Sequence, residues 1–213
     1  MKIICISDTH GAHRSVSVPD GDLLLHAGDL TNRGELEQVA DFNDWLGGLP
    51  HAHKVVIAGN HDFCFENKHR VKAEALLTNA TYLFDRSVEI EGLTLYGSPW
   101  QPWFGGWAFN RKRGADIAEV WEQIPDETDI LITHGPPAGI LDLCVHGEGA
   151  GCKELLYAVE ALRPRLHVFG HIHEAYGEVQ AGQQPGQSGT TFVNASIMTF
   201  QYEPTNAPIM FEV

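Results

Sequence analysis

The sequence predicts an α/β fold, because short apolar runs alternate with segments that carry apolar residues at helical spacing. The apolar runs are typical of buried strands and cover residues 2–7, 23–26, 54–58, 130–133 and 166–169. The helical segments cover residues 36–46, 117–124 and 155–162. Strands and helices that alternate in this way usually form a parallel sheet covered by helices.

Each of the three predicted helices runs into residues that end helices. The first reaches Gly47 and Gly48, the second reaches Pro125, and the third reaches Pro164. Proline cannot continue the hydrogen-bond ladder of a helix, and glycine relaxes the backbone at its end. The helix ends are therefore predicted as clearly as the helices themselves.

Two regions depart from the alternation of strand and helix. Residues 88–96 alternate apolar and polar side chains around Gly92, a pattern that predicts a hairpin. Residues 176–180, 191–194 and 209–213 predict further strands, and residues 181–189 predict a polar connecting tip. Because the sequence contains neither an internal repeat nor a linker, we expect one domain over residues 1–213.

Composition limits the class of protein and of partner. Hydrophobic residues make up 43% of the chain, which is enough to build a core. No segment reaches the roughly 20 apolar residues of a membrane span. The formal net charge of −14 argues against long nucleic acid as a partner. A small phosphorylated substrate remains acceptable, since bound divalent cations would reverse the field at the site.

The N-terminal apolar run and the cysteines bear on location. The first run reaches Ser7 and Asp8 too soon for a signal peptide, so we expect a cytoplasmic protein. Cys144 and Cys152 flank a glycine-rich segment and are close enough in sequence to pair. In a reducing cytosol two free thiols are the better expectation.

Polar motifs follow five of the apolar runs, and the motifs carry most of the functional information. They are Asp8-Thr9-His10, Gly28-Asp29, Gly59-Asn60-His61-Asp62, Thr133-His134-Gly135 and Gly170-His171-Ile172-His173. In open α/β sheets, loops at the carboxyl ends of strands converge on one site. Oxygen and imidazole ligands together suit divalent transition metals. The set predicts a site for two metals and metal-assisted hydrolysis.

Each motif is weak evidence alone, because a single Gly-Asp is usually a turn and a single histidine is usually structural. Their number and order make the case. If the backbone stays extended, Asp8 and His10 face the same way, as do His171 and His173. Asp29 is expected to bridge two ions by offering one carboxylate oxygen to each.

The five motifs resemble the pattern of the calcineurin-like metallophosphoesterases: D-x-H, G-D, G-N-H-[DE], H and G-H-x-H. The resemblance implies an α/β/β/α sandwich, with two packed β-sheets flanked by helices. It implies one metal on Asp8, His10, Asp29 and His173. It implies the other metal on Asp29, Asn60, His134 and His171.

A closer resemblance is to the metallophosphoesterase-domain-containing (MPPED-type) phosphodiesterases. Residues 28–34, 96–102, 133–137 and 163–171 carry it. This branch implies action on small cyclic nucleotides or artificial diesters. Mn²⁺ is the metal that we expect first, and Fe, Zn²⁺, Co²⁺ and Ni²⁺ also suit these ligands.

The resemblance also implies roles for residues that bind no metal. His61 corresponds to the catalytic histidine near the leaving group, and Arg33 to the arginine that contacts phosphate. Serine/threonine protein phosphatases have an aspartate where this chain has Asn32. Because a neutral side chain holds an imidazolium less strongly, protein phosphatase activity is disfavoured. Asp62 is the remaining carboxylate that could orient His61.

Three hypotheses about function follow. The first is a phosphodiesterase of small diesters, in which a hydroxide bridging two metals attacks phosphorus in line and His61 protonates the leaving oxygen. The second is a phosphomonoesterase acting on nucleotides or other small monoesters. The third is a non-catalytic metal-binding scaffold, which the complete set of motifs disfavours.

The segment over residues 97–107 leaves its role open. It contains Trp100, Trp103, Phe104 and Trp107 among glycines and prolines. These aromatic rings could stack on a nucleotide base. Covering apolar surface is the commoner use of indoles in a loop. Residues 110–113 could reach a phosphate or simply begin a helix, and His13 could touch the phosphate.

Overall fold

A computed structural model of the protein describes residues 1–181 and 189–213. Most of the predicted polar tip, residues 182–188, lies outside this range. The described helices are α1 (Leu36–Gly47), α2 (Arg70–Leu76), α3 (Ala115–Trp121) and α4 (Lys153–Leu162). The described strands are β1 (Lys2–Ile6), β2 (Leu23–His26), β3 (His53–Val56), β4 (Thr81–Tyr82), β5 (Arg86–Ile90), β6 (Leu93–Ser98), β7 (Gln101–Pro102), β8 (Asn110–Arg111), β9 (Ile130–Thr133), β10 (Leu166–Phe169), β11 (Gly177–Ala181), β12 (Thr190–Asn194) and β13 (Ile209–Glu212).

The strands form two large sheets with parallel centres. The first has the order β13-β1-β2-β3-β4, in which only β13 is antiparallel to its neighbour. The second has the order β11-β12-β10-β9-β6-β5, with antiparallel edge strands β11 and β5. Strands β7 and β8 form a separate short pair.

Apolar residues on both faces of the central strands explain why those strands read as continuous apolar runs. Along β1, Ile3 and Cys5 pack between the two sheets, whereas Ile4 and Ile6 pack on the side of α1. The outer face of the second sheet packs against α3 and α4. The layer order is therefore helix, sheet, sheet, helix, which confirms the predicted α/β/β/α sandwich.

The expected hairpin is confirmed as β5 and β6. Its turn residues, Glu91 and Gly92, have φ angles of 50° and 79°. Two consecutive positive φ values are typical of the type I′ turn that suits the twist of a hairpin. The helix expected to reach residue 124 ends earlier, at Trp121, although Ile124 is still buried.

The two sheets meet where their parallel strands end. Beyond β1, Ser7 bridges Ser196, which follows β12, and the Ser7 carbonyl accepts a hydrogen bond from the Ile197 amide at 2.9 Å. The Gly170 amide, after β10, donates to the His134 carbonyl, after β9, at 2.9 Å. The loops after the strands of both sheets therefore share one edge.

None of the helices within residues 1–181 and 189–213 combines the length and apolar character needed to cross a membrane. All four cysteines are free thiols, including Cys144 and Cys152.

Truncating a side chain between the sheets tests this layer order. Leu25 of β2 is fully buried there. We expect Leu25→Ala to lower the free energy of unfolding by about 2–5 kcal/mol, because it removes apolar contacts and leaves a cavity. Urea denaturation monitored by circular dichroism measures the change.

The matched control is Leu143→Ala, since Leu143 is 58% exposed. This substitution is expected to change the free energy of unfolding by less than about 0.5 kcal/mol. Equal losses for the two variants would contradict the packing of Leu25 between the sheets.

Candidate metal centre

The loop after β1 places Asp8 and His10 at the shared edge by turning, and not by staying extended. Their φ angles are 53° and 42°, so the condition of an extended backbone, under which the two side chains would face the same way, is not met. The Asp8 amide donates to the Gly28 carbonyl and the His10 amide to the Asp29 carbonyl, both at 2.9 Å. These bonds hold the first two motifs side by side.

Left-handed backbone is concentrated among the candidate ligands. Besides Asp8 and His10, Asp29 and His171 have positive φ angles of 56° and 69°. Each such residue other than glycine costs roughly 1–3 kcal/mol and persists only where the surroundings enforce it. Four of the seven predicted ligands carry this cost, so the loops are shaped for a site at the expense of stability.

The carboxylate of Asp29 lies at the centre of the cluster. Its Oδ2 atom is 3.6 Å from His10 Nε2 and 3.4 Å from His134 Nε2. Its Oδ1 atom accepts a hydrogen bond from the His61 amide at 2.8 Å. A single oxygen therefore faces both histidines, while the other oxygen is engaged by a backbone amide.

One group of candidate ligands lies beside His10. His10 Nε2 is 3.3 Å from His173 Nε2, and His173 Nε2 is 3.4 Å from Asp8 Oδ1. Donor atoms of Asp8, His10 and His173 all lie within 4.8 Å of one another. With Asp29 Oδ2 they make the set expected for the first metal.

The second group lies beside His134. Its Nε2 is 2.9 Å from Asn60 Oδ1, and the His171 ring centroid is 5.0 Å from that of His134. Donor atoms of Asp8, Asp29 and His134 lie within 4.8 Å of one another. The seven predicted ligands thus converge on one place from five loops.

Backbone carbonyls select the tautomer that two of the histidines need for metal binding. His134 Nδ1 donates to the Ala27 carbonyl at 2.9 Å, and His173 Nδ1 donates to the Thr199 carbonyl at 3.2 Å. In the neutral ring the lone pair is then on Nε2, the atom that faces the cluster. This arrangement fits a divalent ion.

Hydrogen bonds hold the Asp8 carboxylate in place, and the carboxylate is the acceptor in each of them. The His171 amide lies 3.1 Å from both of its oxygens, and Ser196 Oγ donates to Oδ2 at 2.9 Å. Ser196 lies outside the five motifs, after β12, and sequence reasoning missed it. A serine after a strand gives no signal of its own.

Charge in the cluster needs compensation. Burial would raise the pKa of the Asp29 carboxyl, but His134 and His10 beside it hold that pKa well below its usual value. Although burial lowers the pKa of His134, Asp29 raises it to about 9. Burial lowers the pKa of His10 to about 4 and that of His171 to about 3. A divalent ion would supply the positive charge that protons otherwise provide.

Two glycines leave room for the central carboxylates. A Cβ atom at Gly59 would overlap Asp29 Oδ1, and one at Gly170 would overlap Asp8 Oδ2. The glycines of the G-N-H-D and G-H-x-H motifs are therefore needed for the close approach of loops from neighbouring strands.

His61 lies next to the cluster, and a nitrogen of its ring is within 4.8 Å of donor atoms of His10 and Asp29. Its Nδ1 atom is 2.7 Å from the Asn32 carbonyl oxygen. This bond requires a proton on Nδ1, which leaves Nε2 as the nitrogen that can exchange a proton. The main chain at position 32, rather than its side chain, holds the ring.

Asp62 does not bond to the His61 ring, which it was expected to orient. Its buried carboxylate accepts hydrogen bonds from the amides of Leu30, Thr31 and Gly59 and from the Thr31 hydroxyl, at 2.7–3.2 Å. These bonds tie the loop after β2 to the loop after β3. Asp62 thereby supports the site through the backbone, while Asn32 takes the part of orienting His61.

His13 does not reach the site either. It is buried, and its Nε2 lies 3.0 Å from Asp41 Oδ2 on α1.

The aromatic segment divides into residues with different surroundings. The Trp100 indole donates to Asp85 Oδ2 at 2.7 Å and packs under Arg111, so its role is structural. Trp107 stacks on His61. Trp103 and Phe104 are exposed beside the candidate ligands His171 and His173. Of the four aromatic residues in this segment, only Trp103 and Phe104 therefore remain candidates for stacking on a nucleotide base.

Trp103 and Phe104 border a cleft of about 300 Å³ that reaches His171 and His173. Phe200 and Tyr202 border it from the C-terminal side. The Tyr202 ring lies 5.1 Å from that of His10 and 4.9 Å from that of His173. No motif marks this tyrosine, and the sequence analysis missed it.

Arg113 also lines the cleft, but its terminal nitrogens are engaged. They donate to the carbonyls of Gly151 and Ala150 at 2.7 and 2.9 Å. Arg33 is exposed and lies over the Trp107 ring, 5.3 Å from its centroid. Of these two arginines, Arg33 is the one whose guanidinium could turn toward a phosphate.

Comparisons with known proteins identify a family and support the fold. The calcineurin-like phosphoesterase family matches residues 1–175. The human and mouse proteins named metallophosphoesterase domain-containing protein 1 are each 44% identical over 236 residues, covering the whole of this chain and 71% of theirs. A solved structure that is 15% identical has a TM-score of 0.68, and the match covers 94% of this chain and 91% of that one. That structure supports the fold.

Filling the space at Gly170 should weaken metal binding. We expect Gly170→Ala to reduce Mn²⁺ affinity roughly 10–100-fold, the usual effect of disturbing groups that orient a ligand. The reason is that the added Cβ displaces Asp8. Titration calorimetry with Mn²⁺ measures the affinity.

Gly48→Ala serves as the control, because a Cβ there meets only ordinary contact with the Trp45 carbonyl, at the end of α1. It should bind Mn²⁺ as the wild type does. Unchanged affinity in Gly170→Ala would show that Asp8 tolerates the displacement.

Proposed function

The chain belongs to the calcineurin-like phosphoesterase family, and on that basis we propose that it is a two-metal phosphodiesterase acting on small diesters. One observation carries the proposal: the other six candidate ligands gather around Asp29, with His61 beside them. Two divalent ions at such a site lower the pKa of water towards neutrality and neutralise charge on phosphoryl oxygens.

The protein's own residues divide the remaining work. His61 protonates the leaving oxygen through Nε2, since Nδ1 is bonded to the Asn32 carbonyl. Arg33 reaches toward the phosphoryl group and balances its charge. Asp62 keeps the loops of Asp29 and His61 in register. No covalent intermediate with the protein is required.

The cleft beside the ligands supports a diester over a monoester. A diester has one negative charge and a second organic group, whereas a monoester has up to two charges. Trp103, Phe104 and Tyr202 offer apolar surface to a second organic group. Arg113 contributes little to a dianion, because carbonyl oxygens occupy its terminal nitrogens. Cyclic nucleotides remain among the candidate diesters.

Charge and thiols support the rest of the proposal. A formal net charge of −14 favours a small substrate over long nucleic acid. Four free thiols are consistent with a reducing compartment, so we keep the cytoplasm as the proposed location. Mn²⁺ is the proposed metal, with Fe, Zn²⁺, Co²⁺ and Ni²⁺ as the alternatives.

Paired chromogenic esters test the substrate class. With saturating Mn²⁺, we expect kcat/KM for bis-p-nitrophenyl phosphate to exceed that for p-nitrophenyl phosphate at least about tenfold, which corresponds to about 1.4 kcal/mol. The reason is the apolar cleft beside the ligands. A faster monoester would establish the phosphomonoesterase alternative. A metal-loaded protein that is inert to all phosphate esters would revive the scaffold alternative.

Removing the proton donor tests the role of His61. We expect His61→Ala to retain both metals and to lose about 10²–10⁴-fold in kcat on diphenyl phosphate. The loss should be smaller on bis-p-nitrophenyl phosphate, whose leaving group needs less help. Metal analysis and initial rates provide the measurements.

His69→Ala replaces an exposed histidine at the start of α2 and should leave both rates unchanged. Equal losses on the two diesters in His61→Ala would contradict general-acid catalysis by His61.

A further inference from the structure

We propose that Trp107 is a positioning residue that holds the His61 ring and the Arg33 guanidinium in their working orientations. The inference rests on the proposed function, because it concerns the two groups to which that function assigns chemistry. Trp107 binds neither substrate nor metal in this view.

The first observation is the stacking of two rings. The centroids of Trp107 and His61 are 4.1 Å apart, and the ring planes differ by 26°. The bond from Nδ1 to the Asn32 carbonyl fixes one point of the imidazole but leaves it able to tilt. The His10 ring meets it edge-on, with centroids 4.5 Å apart. Flat contact with the indole removes the remaining freedom of the ring.

The second observation is that Trp107 is itself anchored to the site. The amide of the next residue, Ala108, donates to the carbonyl of the candidate ligand Asn60 at 3.1 Å. The Trp107 carbonyl accepts a bond from Asn110 Nδ2 at 2.8 Å. The centroid of the Phe63 ring lies 6.0 Å from that of the indole, and the two ring planes differ by 30°. The indole therefore keeps a fixed place relative to the loop that carries His61.

The third observation is the position of Arg33. Its guanidinium carbon is 5.3 Å from the Trp107 ring and 5.9 Å from the Phe63 ring. Attraction between a cation and an aromatic face favours this placement of an otherwise exposed side chain. The same indole thus orients the proposed acid and the proposed phosphate contact together.

Trp107 differs in this respect from Trp103, which lines the cleft and is 65% exposed. The face of the Trp107 indole that is stacked on His61 is not available to a nucleotide base. Loss of Trp107 should consequently lower kcat through His61, raise KM only slightly through Arg33 and leave the metal content unchanged, whereas loss of a substrate contact raises KM without lowering kcat.

The test compares Trp107→Leu with Trp107→Phe on diphenyl phosphate. We expect Trp107→Leu to lower kcat about 10–100-fold, because small displacements of catalytic groups have effects of this size. Trp107→Phe should recover most of the rate, since it restores an aromatic face. Trp45→Leu removes an indole from α1, away from the site, and should leave kcat unchanged.

A double-mutant cycle separates positioning of His61 from other effects. In a His61→Ala background, Trp107→Leu should have only the small effect that remains through Arg33. A full additional loss of kcat, or a raised KM at unchanged kcat, would overturn the proposal.

Nuclear magnetic resonance of the imidazole protons supplies a readout that does not depend on turnover. Stacking on an indole shifts the His61 signals upfield, and we expect Trp107→Leu to remove the shift. Signals that do not move would overturn the proposal even if the wild type is active. If they move and no ester is cleaved, the stacking holds and the proposed function fails.

Discussion

The buried carboxylate of Asp29 lies at the edge where the two sheets meet. The groups around it compensate its negative charge. Moving an isolated carboxylate from water into a protein interior costs at least several kcal/mol of solvation free energy. Oδ1 is satisfied by the His61 amide, and Oδ2 faces His10 from the first sheet and His134 from the second. Positive charge is therefore required at the point where ligands from both sheets meet. The same requirement that makes the cluster costly to fold makes it a strong site for cations.

Close approach of the loops follows from that constraint. For donors from loops after different strands to share one carboxylate, the loop backbones must approach that carboxylate closely. At the closest points a side chain larger than that of glycine would overlap it. Gly59 permits the approach to Asp29, and Gly170 permits the approach to Asp8. The close approach also requires left-handed backbone at Asp8 and His171, which costs conformational free energy. Asp62 and Ser196 stabilise the arrangement by hydrogen bonds, although neither is a candidate ligand.

The sequence predicts best what depends on side-chain identity and pattern. The strands at residues 23–26, 130–133 and 166–169 have the expected bounds, because both of their faces are buried. Helix α2 (Arg70–Leu76) was missed, since it buries only Ala73 fully and exposes Val71, which leaves no apolar stripe.

Contacts made by the main chain are predicted poorly. Every residue has a carbonyl, so nothing in the sequence marks that of Asn32 as the partner of His61. The sequence does mark residues 97–107 as aromatic. Which of these rings meets the histidine depends on the path of the loop, here fixed by the Ala108 amide on Asn60.

The Asn32 carbonyl and the Trp107 ring together bear on the choice of reaction. In the protein phosphatase pattern, a carboxylate supports the catalytic histidine and stabilises its charged form directly. A neutral carbonyl gives direction but less charge stabilisation. An aromatic face adds attraction for a cation without adding a negative charge. A carboxylate at position 32 would also repel an anionic substrate, whereas a carbonyl and an indole would orient the proposed proton donor and leave the approach to the proposed metal site open to phosphate.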